Sequence, residues 1–299
     1  MNKIMRCITT DGSIMAAAID SSDIVHIAQR IHKTSPVATA ALGRAMTGAI
    51  LLAGDFKNHE NVSLRIKGDG PLGTLVAISD SKGNCRGNVT NPEVNLPLKD
   101  NGKLDVGGAV GKDGLLLVIR DYGEGEPYMG QIELVSGEIA EDITNYFATS
   151  EQIPTVCALG VLLDKDDHKV LLAGGLLIQA LPGADDAALE KLEKNVMELP
   201  SVTTMLAQGL SIEDICRKAL TGFDVEILDE YEVNYACPCS KERVKRALTS
   251  LPADEILQIA NEEGKMEAKC QYCGRMYEIG KSELEELASS AQKENNEEM

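Results

Sequence analysis

Residues 3–19 alternate about a turn at Asp11-Gly12, with Ile4, Arg6 and Ile8 before it and Ser13 to Ala18 after it. That pattern predicts an opening hairpin. Ser22-Asp23 caps a predicted helix whose apolar face is Ile24, Ile27, Ala28 and Ile31. Ser35-Pro36 opens a second helix, the hydroxyl placed as N-cap and the proline at the first helical position. One side of it is small (Ala38, Ala41, Ala45, Gly48, Ala49), so another backbone can approach closely; Leu42, Met46 and Ile50 face another layer. The apolar run from Pro36 to Gly54 is the longest in the chain. Arg44 in its middle and its alanines and threonines predict a buried helix, not a membrane span.

Strand patterns follow at 62–67, 74–78 and 85–91, then a Gly-, Asp-, Asn- and Pro-rich stretch at 92–114, expected as loop with short strands. Further strands are predicted at 115–120 and 130–135, and a helix at 138–148, broken by Ser150 to Pro154. The apolar runs 156–163 and 170–180 form a hairpin about the acidic turn Asp164 to His168. Residues 1–180 therefore read as an α+β domain built mainly from antiparallel strands. From Asp185 the period becomes helical, and Pro200 and Gly209 cut the pattern into short amphipathic pieces, the last capped by Ser211. Each piece is too short to be stable in water alone, so it must lie on a surface.

Gly68-Asp-Gly70-Pro-Leu-Gly73 fits the GxGxxG spacing of a dinucleotide loop. Such a loop must open a helix, whose N-terminus meets the pyrophosphate. Here Thr74 to Ile78, directly after the glycines, are β-patterned, so the glycines read as a tight connection between strands. His26, His32 and His168 read as surface or satisfied histidines. No nucleophile–base pair, paired acid or phosphate loop emerges, which points towards binding, not catalysis.

The 299 residues suit two domains, or a large one with a small one. The N-terminus lacks the features of a signal peptide, and a cytoplasmic protein is expected. A formal net charge of −18 disfavours gripping phosphate backbones and favours solubility. Residues 232–299 alone hold 9 Lys+Arg against 14 Asp+Glu, a poor balance for a nucleic-acid module.

Four of the eight cysteines fall in two clusters, Cys237-Pro-Cys239 and Cys270-Gln-Tyr-Cys273, with 30 residues between them. Two thiol pairs at this distance fit one tetrahedral four-sulfur zinc site. Ser240 caps a predicted helix over 241–251; a second helix over 254–263 ends at Gly264, and 266–269 leads as a strand into the second cluster. With little apolar core expected, metal binding would provide much of this domain's folding free energy. Lys241, Arg243, Lys245, Arg246, Lys269 and Arg275 are close enough in sequence to offset thiolate charge and favour it. Oxidised thiolates with a neighbouring thiol become disulfides. Spacing alone leaves open an inert structural zinc protein and a zinc-dependent thiol–disulfide oxidoreductase, though the CxxC lies outside any βαβ pattern.

Cys237-Pro-Cys239-Ser-Lys-Glu-Arg243, Ala247-Leu248 and Cys270-Gln-Tyr-Cys273 resemble the C-terminal domain of the thirty-three-kilodalton chaperonins, the redox-regulated heat-shock chaperones of bacteria. The resemblance extends to Thr39–Arg44, Gly68–Gly73, Val135–Asp142, Tyr146-Phe147, Ser150–Gln152 and Gly174-Gly175. Pro200, Pro252 and the extra cysteines Cys7, Cys85, Cys157 and Cys216 depart from it; these four read as small buried hydrophobes.

The resemblance implies three parts: a chaperone core over 1–180, a redox-sensitive helical linker over 181–231 and a four-cysteine switch domain over 232–299. It implies a protein that is not an enzyme and that holds one zinc per chain on Cys237, Cys239, Cys270 and Cys273 when reduced. Oxidation to Cys237–Cys239 and Cys270–Cys273 disulfides would release the zinc, unfold the switch domain and linker, and bring about dimerisation. Clients would be unfolding or oxidatively damaged proteins held without ATP, with no nucleic acid, membrane or nucleotide as partner.

Overall fold

Strand alternation and helical periodicity produce the elements in the expected order, and the computed structural model describes residues 2–54 and 60–297, with side chains to residue 290. They are β1 (Lys3–Thr9), β2 (Ile14–Asp20), α1 (Ser22–His32), α2 (Pro36–Ala53), β3 (Asn61–Lys67), β4 (Thr74–Asp80) and β5 (Asn84–Val89). Next come α3 (Val106–Val110), β6 (Leu115–Asp121), β7 (Tyr128–Glu133) and α4 (Ala140–Tyr146), which runs into a π-helical turn over Phe147–Glu151. After that turn lie β8 (Thr155–Leu163), β9 (Val170–Ala180), α5 (Asp186–Met197), α6 (Val202–Ala207), α7 (Ile212–Ala219), β10 (Val225–Glu232) and β11 (Asn234–Tyr235). The last part holds α8 (Lys241–Leu248), α9 (Ala253–Glu262), β12 (Lys265–Lys269), β13 (Met276–Gly280) and α10 (Lys281–Glu297). The chain forms two compact units, Met1–Ala236 and Cys237–Met299, so residues 181–231 lie within the first.

The first unit is α+β, with two largely antiparallel sheets in the orders β10-β1-β2-β9-β8 and β11-β5-β4-β3-β6-β7; only β11–β5 pairs in parallel among the described strands. Helix α2 touches β3, β4 and β5 of one sheet and β8 and β9 of the other. It is buried almost all round, which is why its sequence is apolar on every face. Among the described residues it is the one helix long and apolar enough to cross a membrane, and it lies inside the protein. Small residues allow the approach: a Cβ on Gly175 of β9 would come within 2.9 Å of Leu51 and Thr47.

Local readings hold unevenly. Ser35 does not cap α2; its hydroxyl donates to the Val94 carbonyl. Ser21, not Ser22, occupies the N-cap position of α1 without a side-chain cap, and Ser22 Oγ donates to Asp20 and accepts from Ala173 N–H at 3.0 Å. Both hydroxyls satisfy backbone or carboxylate partners on neighbouring segments instead. Residues 92–114 contain the short helix α3 and, among the described residues, no strand.

The GxGxxG stretch does join β3 to β4. Gly68 and Gly70 sit against the chain at 109–111: Gly70 N–H donates to the Val110 carbonyl at 3.0 Å and Leu72 N–H to Ala109 at 3.1 Å. A Cβ on Gly68 or Gly70 would collide with that backbone. The Val135–Asp142 motif is a polar knot tied on the buried side chain of Asp142. Asp142 accepts N–H bonds from Val135, Ser136 and Ile139 at 2.8, 3.2 and 3.0 Å. Its neighbour Glu138 pairs with Arg44 of α2 at 2.6 Å and with Lys99.

Helices α5, α6 and α7 are capped by Asp185, Ser201 and Ser211. Their surface is the first sheet. Leu192, Val202, Met205, Ile215 and Ala219 pack in one cluster with Ile14, Ala16, Ala18, Leu176 and Ile178 of β2 and β9. Strand β10, which sequence reasoning did not foresee, pairs with β1 from Thr9↔Val225 to Lys3↔Glu232. Arg6–Asp229 and Lys3–Glu230 ion pairs reinforce that pairing.

The second unit has a small core of its own, more than its sequence suggested: Leu248, Ala253, Ile256, Ala260, Ile279, Leu284 and Ala288. Glu283 of α10 ties this core to α8, accepting from Lys241 at 2.7 Å and Lys245 at 2.6 Å, with Gly280 N–H at 3.1 Å. Lys241 first, then Lys245 and Gly280, hold its carboxyl down at about 2. A depressed carboxylate stabilises the fold above its unfolded value of about 4.3 and loses that contribution as pH falls towards 2. Glu283→Gln should therefore lower the urea midpoint of this unit at pH 6, with the gap to wild type closing as pH approaches 2. A gap independent of pH would contradict the assignment.

Candidate metal centre

The cysteines reach one point from two loops. Cys237 and Cys239 lie directly before α8, whose first turn Ser240 caps by accepting from Arg243 N–H at 3.2 Å. Cys270 and Cys273 sit on the turn between β12 and β13. That turn closes through Gly274 N–H to the Cys270 carbonyl and Cys270 N–H to the Arg275 carbonyl, both 2.9 Å. Gly274 takes φ of 71°, the left-handed region that glycine adopts without strain.

The four Sγ atoms all lie within 4.8 Å of one another and are half-buried. Cys237 and Cys270 are 3.7 Å apart, Cys239 and Cys273 3.3 Å. A tetrahedral ion with metal–sulfur bonds of about 2.3 Å needs sulfur–sulfur edges of about 3.8 Å. The donor set therefore fits zinc: four soft ligands at nearly the required spacing. Among the described residues, this is the cluster of three or more His, Cys, Asp or Glu side chains able to share an ion. Among the described residues, His26, His32 and His168 join no such cluster: His32 meets the Tyr235 hydroxyl at 3.3 Å, and the His168 carbonyl accepts from Gln29.

Two groups act on the sulfurs: Tyr277, which sequence spacing did not single out, and Arg275, which was among the cations expected to offset the thiolates. The Tyr277 hydroxyl on β13 donates to Cys239 Sγ at 3.0 Å. Arg275 hydrogen-bonds Tyr277 and lends its charge to Cys239 and Cys273. Of the other cations expected to offset the thiolates, Lys241 and Lys245 are taken up by Glu283. Burial pushes the Cys239 thiol up, but Tyr277 and the neighbouring thiols outweigh it and bring it to about 7. Burial, with help from Cys239 and Cys270, drives Cys237 up to about 12, and burial likewise raises Cys273. Cys239 is thus more readily made a thiolate, the reactive form of the group, than Cys237 or Cys273. Tyr277→Phe should weaken zinc binding by about 10–100-fold, the usual effect of losing a partner that orients a ligand. Competition with a chromophoric chelator measures this; unchanged affinity would remove Tyr277 from the site.

A family model described as Hsp33 protein matches residues 2–280. The chain belongs to the Hsp33 family. Among Hsp33 relatives, the 33 kDa chaperonin of Clostridioides difficile is 46% identical over 285 residues, covering 95% of this chain and 97% of that one. The 33 kDa chaperonin of Bacillus licheniformis is 42% identical over 287 residues, covering 96% and 99%. The crystal structure of a 33 kDa chaperonin, the heat shock protein 33 homologue of Thermotoga maritima, superposes with a TM-score of 0.89 at 37% identity, covering 98% of this chain and 99% of that one. Membership makes this protein a heat-shock chaperone by family. The Hsp33 motifs outside the cysteine unit are structural in this chain: the glycine loop, the Asp142 knot and the Arg44–Glu138 pair hold the first unit together.

Proposed function

We propose that this chain is a redox-regulated, ATP-independent holdase of the cytoplasm, whose core spans 1–180, linker 181–231 and switch 232–299. The observation that carries the proposal is the convergence of the Cys237, Cys239, Cys270 and Cys273 sulfurs at ligand spacing. One zinc ion per chain, when bound, would tie these thiolates together and provide folding free energy to the small unit. With the site loaded and reduced, the switch is folded and the chaperone quiet.

Peroxide oxidises each pair by two electrons. One thiolate attacks the peroxide oxygen and becomes a sulfenic acid; the second displaces water from it and forms the S–S bond. Two such events give Cys237–Cys239 and Cys270–Cys273, and the thiolate ligand set is gone. The switch then loses its tie, and on this reading the helices after 180 come free of the first sheet.

The packing of α5–α7 supports the next step. These helices are short, and their apolar faces cover an apolar face of the first sheet. Their detachment would expose both surfaces together, which suits binding of unfolded or oxidatively damaged proteins and self-association into a homodimer. The net charge of −18 keeps such complexes in solution. No catalytic step, nucleotide, nucleic acid or membrane enters this reading.

The test is suppression of aggregation of a thermally unfolding protein, followed by light scattering without ATP. The peroxide-treated chain should suppress it at near-stoichiometric amounts and the reduced, zinc-loaded chain should not. Equal activity of the two forms would reject redox control.

A further inference from the structure

A sheet leaves backbone donors and acceptors unpaired at its edge strands, and proteins guard these with charge, proline or brevity. Most edges among the described strands follow that rule. β10, one edge of the first sheet, carries Glu226, Asp229, Glu230 and Glu232. In the second sheet, edge strand β7 carries Glu133 and edge strand β11 is two residues long. β8, the other edge of the first sheet, runs Thr-Val-Cys-Ala-Leu-Gly-Val-Leu-Leu over Thr155–Leu163, without a charge or a proline.

Only the start of that edge is covered. Cys157 N–H points away from β9 and donates to the Thr144 hydroxyl of α4 at 3.2 Å. By strand alternation, Leu159 and Val161 present their N–H and C=O groups on the same outer side. The ladder agrees: Ala173, opposite Val161, is bonded away from β8, accepting from Ser21 N–H at 2.9 Å and donating to Ser22 Oγ at 3.0 Å. Among the described residues, no group bonds to the outward N–H of Leu159 or Val161.

Beside them lies a groove of about 870 Å³. The consecutive residues Leu159 to Leu163 all line it, so it runs along the edge of the strand and not over one face. Helix α2 closes one side, where a Cβ on Gly43 would come within 2.8 Å of Val161. Helix α6 closes the other, where a Cβ on Gly160 would meet Thr203 at 2.8 Å. Val94, Leu96 and Leu98 add apolar lining, and Leu98 and Leu162 are 59% and 39% exposed. Lys103 and Lys165 also line the groove, and neither has an ion-pair partner among the described residues. The carboxylate beside them, Asp164, is taken up by the N–H groups of Asp166 and Asp167. On a chain of net charge −18, this is a local cationic rim.

We propose that the groove takes a segment of unfolded polypeptide as an added strand on β8, extended, apolar at alternate residues and acidic at its flanks. Five strand residues, as in Leu159–Leu163, span about 16 Å at about 3.3 Å each, so the added strand is about that long. Main-chain hydrogen bonds provide affinity for many sequences, and the apolar lining receives alternate side chains. A second copy of the chain fits poorly. From Thr155 to Val161 the strand is only half-exposed, so two such recessed edges cannot meet, whereas a single extended strand can enter. The proposal rests on the holdase reading for the source of the segment, and binding itself needs no oxidation. One short strand is a small contact. The reduced protein can therefore take a peptide and still fail to hold an unfolding protein, which needs the apolar surfaces under α5–α7 as well.

The probe is an acetylated, amidated peptide of alternating valine and threonine with a glutamate at each end, added to reduced, zinc-loaded, full-length protein. Amide exchange is followed by NMR. At tenfold excess over Kd, exchange at Leu159 and Val161 should slow about tenfold, while Gly160 and Leu162, already bonded to β9, stay unchanged. Leu162→Lys guards the edge with charge, and Val161→Pro removes an outward donor without breaking the β8–β9 ladder. Each should weaken peptide binding tenfold or more while residues 36–53 keep their protection. A lysine-ended peptide should bind more weakly than the glutamate-ended one, and equal binding would overturn the acidic flanks. Absence of binding, binding without protection of Leu159 and Val161, or unchanged affinity in both folded variants would overturn the added strand. Protection of those two amides that rises with protein concentration alone would give the edge to a second copy and overturn the peptide. Because nothing is oxidised, none of these failures touches redox control, and failure of redox control in the aggregation assay leaves this binding standing.

Discussion

Cys270→Ser should lower zinc affinity by well over the ~10–100-fold that loss of an outer hydrogen-bond partner costs. Serine offers a hard, weakly acidic hydroxyl where the site presents a soft thiolate at tetrahedral spacing. The other three sulfurs then face one another without a fourth ligand. The apolar core around Leu248, Ile256, Ile279 and Leu284 remains, on α8, α9, β13 and α10, but it includes none of the residues of the two cysteine loops. Chelator competition should show the loss of affinity, and hydrogen exchange should show the loops at 237–240 and 270–275 losing protection first. On the proposed switch, the variant also suppresses aggregation without oxidant. A variant that binds zinc as tightly as wild type would remove Cys270 from the ligand set.

Ile215→Asp should open the linker without touching a cysteine. Ile215 is fully buried between α7 and the first sheet, among Ile14, Ala16 and Leu176. An unpaired carboxylate there costs several kcal/mol. Helices of eight residues or fewer, such as α6 and α7, have little stability of their own to oppose it. The cheaper response is detachment of α5–α7, since the larger core around α2 belongs to a separate cluster. The reduced, zinc-loaded variant should therefore suppress aggregation, and residues 186–219 should become protease-sensitive while 36–53 stay protected. Loss of protection throughout the first unit would mean that the helices are part of its indivisible core.

How much of this was legible in the sequence depends on range. The opening hairpin, the glycine connection at 68–73 and the Ser211 cap are local, and the letters carry them. The Ser35 hydroxyl was misread because the Val94 carbonyl, far along the chain, competes for it. Strand β10 was missed because its apolar residues Ile227 and Leu228 are exposed and its pairing with β1 is long-range. The four ligand cysteines were legible from spacing. Tyr277 was not, because a tyrosine four residues past a CxxC has no meaning until β13 turns it back onto Cys239. Lys241 and Lys245 were assigned to the thiolates by proximity in sequence, but Glu283, about forty positions on, claims them.

Hydrogen exchange of the zinc-loaded, full-length protein before and after peroxide, resolved by peptide, tests the central claim most directly. Oxidation of the four-cysteine site is held to free α5–α7 from the first sheet. The account predicts that zinc release, oxidation of Cys237, Cys239, Cys270 and Cys273, and loss of protection across 186–219 rise together while 36–53 stays protected. Full oxidation and loss of zinc with 186–219 still protected would contradict it.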